Sequence, residues 1–68
     1  IMDTFAERFK ELRLSKNMSA RELARELGVS NTAIHRWEKG LRYPSLEYLV
    51  AIAKYFNVST DYLCGLED

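Results

Sequence analysis

Apolar side chains recur along this chain at the three- and four-residue spacing of amphipathic helices, with no strand-like alternation. Short polar segments with serine, threonine, asparagine or glycine separate these apolar runs. The pattern predicts five helices, at about residues 4–15, 20–27, 31–39, 46–56 and 60–64. We therefore expect an all-α fold, a compact five-helix bundle, with residues 1–68 forming a single domain.

Local signals mark where the predicted helices begin and end. Thr4-Phe5-Ala6-Glu7 and Ser19-Ala20-Arg21-Glu22 both fit a capping box, in which a hydroxyl and a carboxylate satisfy first-turn amides. Ser30, Ser45 and Ser59 are the predicted N-caps of the last three helices. Helix ends are expected beside Asn17, Gly28, Gly40 and Gly65, residue types that tolerate a left-handed backbone, and a further break is expected at Asn57-Val58.

The apolar stripes of these helices predict the core. On the fourth helix the stripe consists of Leu46, Leu49, Ala53 and Phe56. Trp37 lies at helical spacing from Ile34 and is expected to be a core residue rather than a ligand-stacking one. Cys64 is interpreted as a small, partly buried filler without groups beside it that would make it a nucleophile.

Composition excludes several classes of protein. Cys64 is the only cysteine and His35 the only histidine, so an intramolecular disulfide and a Cys/His metal cluster are both excluded. No apolar run approaches the ~20 residues of a membrane span, and no signal peptide is evident. Carboxylate pairs in an evident cleft, nucleophile arrangements and glycine-rich phosphate loops are also missing. We expect a cytoplasmic protein that is not an enzyme and has no metal or cofactor.

Charge is distributed unevenly along the neutral chain. Residues 13–42 hold seven basic side chains against three acidic ones, a net charge of +4. Residues 1–12 have a net charge of −1 and residues 43–68 a net charge of −3. A basic segment between acidic ends can bind phosphate on one face, although an unevenly charged solvated surface explains the pattern equally well.

The segment from Ala20 to Lys39 predicts two short helices joined by a tight turn. Ala24 offers a small side chain where the helices would cross, and Gly28 permits the backbone to reverse four residues later. Apolar residues from Val29 onward hold the second helix against the first. Polar residues at the start of the second helix face outward and have little structural use.

This segment resembles the helix-turn-helix of the Xre/Cro–cI repressor family. The similarity lies in the run MSARELARELGVSNTAIHRWEKG, residues 18–40, and continues through Pro44-Ser45 to Asp61-Tyr62-Leu63. The resemblance covers nearly the whole chain and implies a lambda-repressor-like fold. It also implies a transcriptional regulator, most simply a repressor, that binds double-stranded DNA.

The resemblance further implies that the second of these helices enters the major groove with its first residues on base edges. On this mapping Asn31, Thr32 and Arg36 contact bases. Arginine can donate two hydrogen bonds to guanine, asparagine can bond adenine, and threonine can meet thymine. His35 stays open between a phosphate contact and a solvent-facing role.

Phosphate contacts are expected at the helix ends and in the loop that follows. The family often has glutamine at the position of Ala20, so that side-chain contact is missing here and Arg21 is a candidate replacement. Arg13 and Glu38 match positions that in the family often form an ion pair between the first and third helices, and the alternative is two independent surface charges. The predicted phosphate-contacting residues are Ser19, Ala20, Arg21, Ser30, Lys39, Gly40, Leu41 and Arg42.

One recognition helix reads only a few base pairs, so a homodimer on a palindromic operator is expected. By resemblance and by exclusion of the DNA face, the self-contact is placed at Asn57, Val58, Tyr62 and Leu66. The alternative is a protein-interaction module, such as an antitoxin or anti-repressor, built on the same fold. A protein partner or a further C-terminal domain also stays open.

Overall fold

The structure is a computed structural model that describes residues 4–68. Within this range the chain forms five helices and no strand, which confirms the all-α prediction. The helices are α1 (Thr4–Ser15), α2 (Ala20–Leu27), α3 (Asn31–Glu38), α4 (Leu46–Phe56) and α5 (Thr60–Cys64). No helix in the described part of the chain is long and apolar enough to cross a membrane.

Serine side chains begin four of the five helices, as the sequence predicts. In each case the serine oxygen accepts a hydrogen bond from the amide three residues later, which satisfies a donor that the helix leaves unpaired. Thr4, the predicted cap of the first helix, is itself helical, so the capping box expected there does not start α1. The four observed serine caps are Ser19, Ser30, Ser45 and Ser59.

All five helices end in the same backbone motif. A residue with positive φ follows the last turn, and the next amide reaches back to a carbonyl five residues earlier. After α3 this residue is Gly40, and the Leu41 amide donates to the Arg36 carbonyl at 2.9 Å. Because Lys39 thereby becomes the C-cap, α3 ends at Glu38, one residue before the predicted end.

Aromatic rings form the centre of the core. The fully buried Phe9 ring stacks on Phe5 at 5.4 Å and meets Trp37 and Phe56 edge-on at 5.9 and 6.5 Å. Since Phe9 is on α1, Trp37 on α3 and Phe56 on α4, this cluster joins three helices. The buried residues of the core are Phe5, Ala6, Phe9, Leu23, Ala24, Ile34, Trp37, Ile52, Ala53, Phe56 and Leu63.

Two core assignments from the apolar pattern are wrong. Leu46 is 76% exposed, because it lies in the first turn of α4 and the stripe becomes covered only from Leu49 onward. Cys64, expected to be partly buried, is an exposed free thiol in the last turn of α5. Trp37 is buried, as predicted.

Candidate nucleic-acid interface

The turn between α2 and α3 is built around Gly28. Its φ of +71° is left-handed, and the Val29 amide donates to the Ala24 carbonyl at 2.9 Å. Apart from the local backbone and the two neighbouring residues, no atom lies within 4 Å of the position where a Cβ would stand, so glycine is required by backbone conformation and not by space. Two residues later the Ser30 hydroxyl accepts from the Ala33 amide at 3.1 Å, and α3 begins. The chain therefore reverses and restarts as a helix within three residues.

Helix α3 has a buried face and an exposed face. Ile34 is completely buried and Trp37 is 6% exposed, which fixes this face against α1 and α2. The opposite face consists of four exposed polar side chains, Asn31, Thr32, His35 and Arg36. The spacing i, i+1, i+4, i+5 places these four on one side of the helix.

None of these four exposed side chains forms a hydrogen bond or an ion pair with another side chain or backbone group in residues 4–68. Together they present amide, hydroxyl, imidazole and guanidinium groups, which include both donors and acceptors. Three of them are the predicted base-contacting residues. His35, whose role the sequence leaves open, lies on the same face. Its spacing of about one helical turn from Asn31 is the sequence signal that places it there.

The start of α2 is occupied by its own capping box. The Ser19 amide donates to Glu22 Oε1 at 2.8 Å, while the Glu22 amide donates to Ser19 Oγ at 3.0 Å. Hydrogen bonding to the Ser19 amide, and then to its hydroxyl, lowers the pKa of Glu22 below its usual range. The first-turn amides left for a phosphate are those of Ala20 and Arg21, beside the negative charge of Glu22.

The cationic groups beyond α3 are side chains. Lys39 and Arg42 are exposed and have no ion-pair partner in residues 4–68. The predicted amide donors of the loop are already used, since Gly40 donates to the Trp37 carbonyl and Leu41 to the Arg36 carbonyl. The groups at this end of α3 that remain available to an anion therefore include the Lys39 and Arg42 side chains.

An ion pair links α1 to the last turn of α3. Arg13 Nε lies 2.6 Å from Glu38 Oε2, and Arg13 Nη2 lies 3.0 Å from Glu38 Oε1. Arg13 Nη1 also donates to the Met18 carbonyl at 2.8 Å. The two side chains are only 12% and 7% exposed, and the hydrogen bond to Glu38 raises the pKa of Arg13 further above its usual value. The pair holds the last turn of α3 against α1.

The four residues of the predicted self-contact lie on the α4–α5 turn, on α5 and in the segment that follows α5. Leu66 is 76% exposed, whereas Val58 is half-buried against the core. The Arg8 guanidinium lies 4.3 Å from the centre of the Tyr62 ring and donates to the carbonyls of Tyr62 and Glu67. Arg8 thereby ties the segment that follows α5 to α1.

A family model described as helix-turn-helix matches residues 9–63. The transcriptional activator BcrR of Enterococcus faecalis is 44% identical over 64 residues, which are 94% of this chain and 31% of that protein. The cryptic phage CTXphi transcriptional repressor RstR of Vibrio cholerae is 37% identical over 59 residues, 87% of this chain and 53% of that protein. The chain thus spans 31% and 53% of the lengths of these two curated relatives.

A solved structure shares the fold over nearly the whole chain. It is the P22 c2 repressor in complex with a synthetic operator, with a TM-score of 0.88 and 32% sequence identity. The match covers 97% of this chain and 100% of that one.

Proposed function

This chain belongs to the helix-turn-helix family, and on that premise we propose that it binds operator DNA sequence-specifically as a transcriptional regulator. The observation that carries the proposal is the exposed polar face of α3, whose side chains have no partners in residues 4–68. The buried Ile34 and Trp37 support this face from behind, and the Arg13–Glu38 pair fixes the last turn of α3 to α1. Rigid support of this kind suits a helix that must present side chains to the major groove.

Each proposed base contact follows from side-chain chemistry. Arg36 would donate two hydrogen bonds to guanine O6 and N7, and Asn31 would bond adenine N6 and N7. Thr32 would place its methyl group against a thymine methyl or offer its hydroxyl. Lys39 and Arg42 would contact phosphates, together with the hydroxyl of Ser30 and the Ala20 and Arg21 amides.

We favour repression over activation. The P22 neighbour and the CTXphi relative are both named as repressors, and a DNA-binding domain that occupies an operator can block transcription without a further activity. The Enterococcus relative is named as an activator, so a reporter gene downstream of the selected operator would decide between the two. Either role places the chain in the cytoplasm of a bacterial cell and requires no catalytic chemistry.

We also propose that the chain acts as one DNA-binding domain that dimerises through Asn57, Val58, Tyr62 and Leu66. Two α3 helices about 34 Å apart would contact half-sites separated by about ten base pairs. Leu66→Asp is expected to weaken dimerisation, measured by sedimentation equilibrium. Leu14→Asp, at a leucine that is 52% exposed on α1, is the matched control. Equal dimerisation constants for both variants would exclude this surface.

Selection of bound sequences from a randomised duplex pool tests the proposed function. The wild type is expected to enrich a two-fold-related motif. Arg36→Ala is expected to lose about 5- to 150-fold in affinity and the preference at one position of each half-site. Lys54→Ala, which removes the same charge from the exposed side of α4, is the control. Salt-sensitive binding without any motif would show only phosphate attraction and would favour the protein-interaction alternative.

A further inference from the structure

We infer that His35 is a further specificity-determining residue, one that donates a hydrogen bond to the N7 atom of a guanine in each half-site. The inference deepens the proposed function and rests on α3 entering the major groove. It starts from the observation that His35 is exposed on the same face of α3 as Asn31, Thr32 and Arg36.

The position of His35 around the helix carries the argument. Successive residues are rotated by about 100° around the axis of an α-helix. The angle midway between the buried Ile34 and Trp37 defines the inward direction of α3, and the outward direction is opposite to it. Thr32 lies about 10° from the outward direction, His35 and Arg36 each about 50° from it on opposite sides, and Asn31 about 90° from it. His35 therefore faces outward as directly as Arg36 and more directly than Asn31.

The surroundings of His35 leave its ring available. Its backbone carbonyl accepts from the Lys39 amide within the helix, but its side chain has no partner in residues 4–68. An imidazole always carries at least one N–H donor, and a charged imidazole carries two. A guanine presents two neighbouring acceptors in the major groove, N7 and O6, whereas an adenine presents a donor beside its N7. The donor on His35 therefore favours guanine.

His35 and Arg36 require different bases. The two residues are separated by only about 1.5 Å along the axis but diverge by about 100° around it. Asn31 precedes His35 by about 6 Å, close to the separation of two base pairs, on the same side of α3. The preference set by His35 is therefore expected at a different position of the half-site from the preference set by Arg36.

The test uses His35→Ala with the operator that the wild type selects. Replacing single guanines by 7-deazaguanine removes N7 and leaves the Watson–Crick edge intact. At one guanine per half-site, this change is expected to weaken wild-type binding about 2- to 12-fold and to leave His35→Ala binding unchanged. His35→Gln is expected to shift the preference at that position toward adenine.

Three results would overturn the inference. If every deaza substitution weakens the wild type and His35→Ala equally, His35 contacts no guanine N7. If His35→Ala lowers affinity evenly for all sequences and reduces the salt dependence, His35 contacts a phosphate. If the wild type selects no motif, the proposed function fails together with this inference, whereas the first two results leave the proposed function standing. Because His35 is exposed, its variants are expected to keep the wild-type melting temperature, which controls for misfolding.

Discussion

Replacing Glu38 with glutamine removes one charge from the ion pair between α1 and α3 while keeping the shape of the side chain. In the folded protein the Glu38 carboxylate accepts two hydrogen bonds from Arg13, at 2.6 and 3.0 Å. A glutamine amide can accept only one of them, and its NH₂ group turns a donor toward the other guanidinium N–H. Arg13, which is only 12% exposed, would then carry a charge without a counter-charge.

The expected loss follows from how far the pair is shielded from water. Exposed ion pairs contribute about 0–1 kcal/mol, whereas removal of one member of a buried pair costs about 3–5 kcal/mol. Side-chain exposures of 12% and 7% place the Arg13–Glu38 pair between these two limits, closer to the buried one. We expect Glu38→Gln to lower the free energy of unfolding by about 2–4 kcal/mol, with partial compensation by the remaining hydrogen bond. A domain of this size has a total stability of only about 3–10 kcal/mol, so the variant would melt about 8–32 °C lower.

Urea unfolding followed by circular dichroism measures this loss. Fluorescence of Trp37, the only tryptophan, adds a probe on the same turn of α3. A double-mutant cycle with Arg13→Met and Glu38→Met separates the pairwise energy from the loss of each side chain. The double variant is expected to be more stable than either single variant, because it leaves no charge unpaired.

Two outcomes would refute the reasoning on this pair. The first is a coupling energy near zero in the double-mutant cycle, which would mean that Arg13 and Glu38 act as independent surface charges. The second is a single-variant loss below about 0.5 kcal/mol, the range of ordinary surface substitutions.

Three further predictions concern the supporting framework. Hydrogen bonds to Ser19 make the pKa of Glu22 lower in the folded protein than in the unfolded chain, where it is about 4.3. The capping box therefore stabilises the fold fully above about pH 4.3, and this contribution is lost as the pH falls through the lower pKa of the folded protein. Unfolding measured from about pH 6 to about pH 3 should therefore lose stability more steeply in the wild type than in Glu22→Gln, and equal slopes would contradict this. Gly28→Ala should lower the free energy of unfolding, measured with urea, by about 1–2 kcal/mol, because Gly28 has a left-handed φ of +71°. Gly28→Asn should lower it less, and equal losses for the two variants would indicate a steric cause. Ile34→Val should lower stability by about 0.5–1.5 kcal/mol and leave the DNA affinity of the folded protein unchanged, and a loss of affinity without a loss of stability would contradict the assignment of Ile34 to the core.

The helices could be predicted closely because their signals are local. A serine that caps a helix accepts from an amide three residues away, and each helix end closes with hydrogen bonds over three to five residues. Both partners of these bonds lie in one short window of sequence. The one-residue difference at Lys39 arises because Gly40 and Leu41 close the motif that makes Lys39 a cap.

The candidate site could be predicted only in part. Helical spacing and the family resemblance together indicated Asn31, Thr32 and Arg36. They left His35 undecided, because the outward direction of α3 depends on which helices cover Ile34 and Trp37. The sequence also predicted that the Gly40 and Leu41 amides contact phosphate. In the folded chain both amides already donate to backbone carbonyls, and this pairing could not be foreseen from the residue types alone.

The sequence by itself determined the number, order and caps of the helices in this protein, because those features arise from side chains and backbone groups a few residues apart. Only the tertiary structure decided which apolar positions are buried. Leu46 fits the stripe of its helix but is exposed in the first turn, and Cys64 follows the buried Leu63 yet is exposed. Burial depends on surfaces contributed by residues distant in the chain, and the spacing of one helix carries no information about what packs against it.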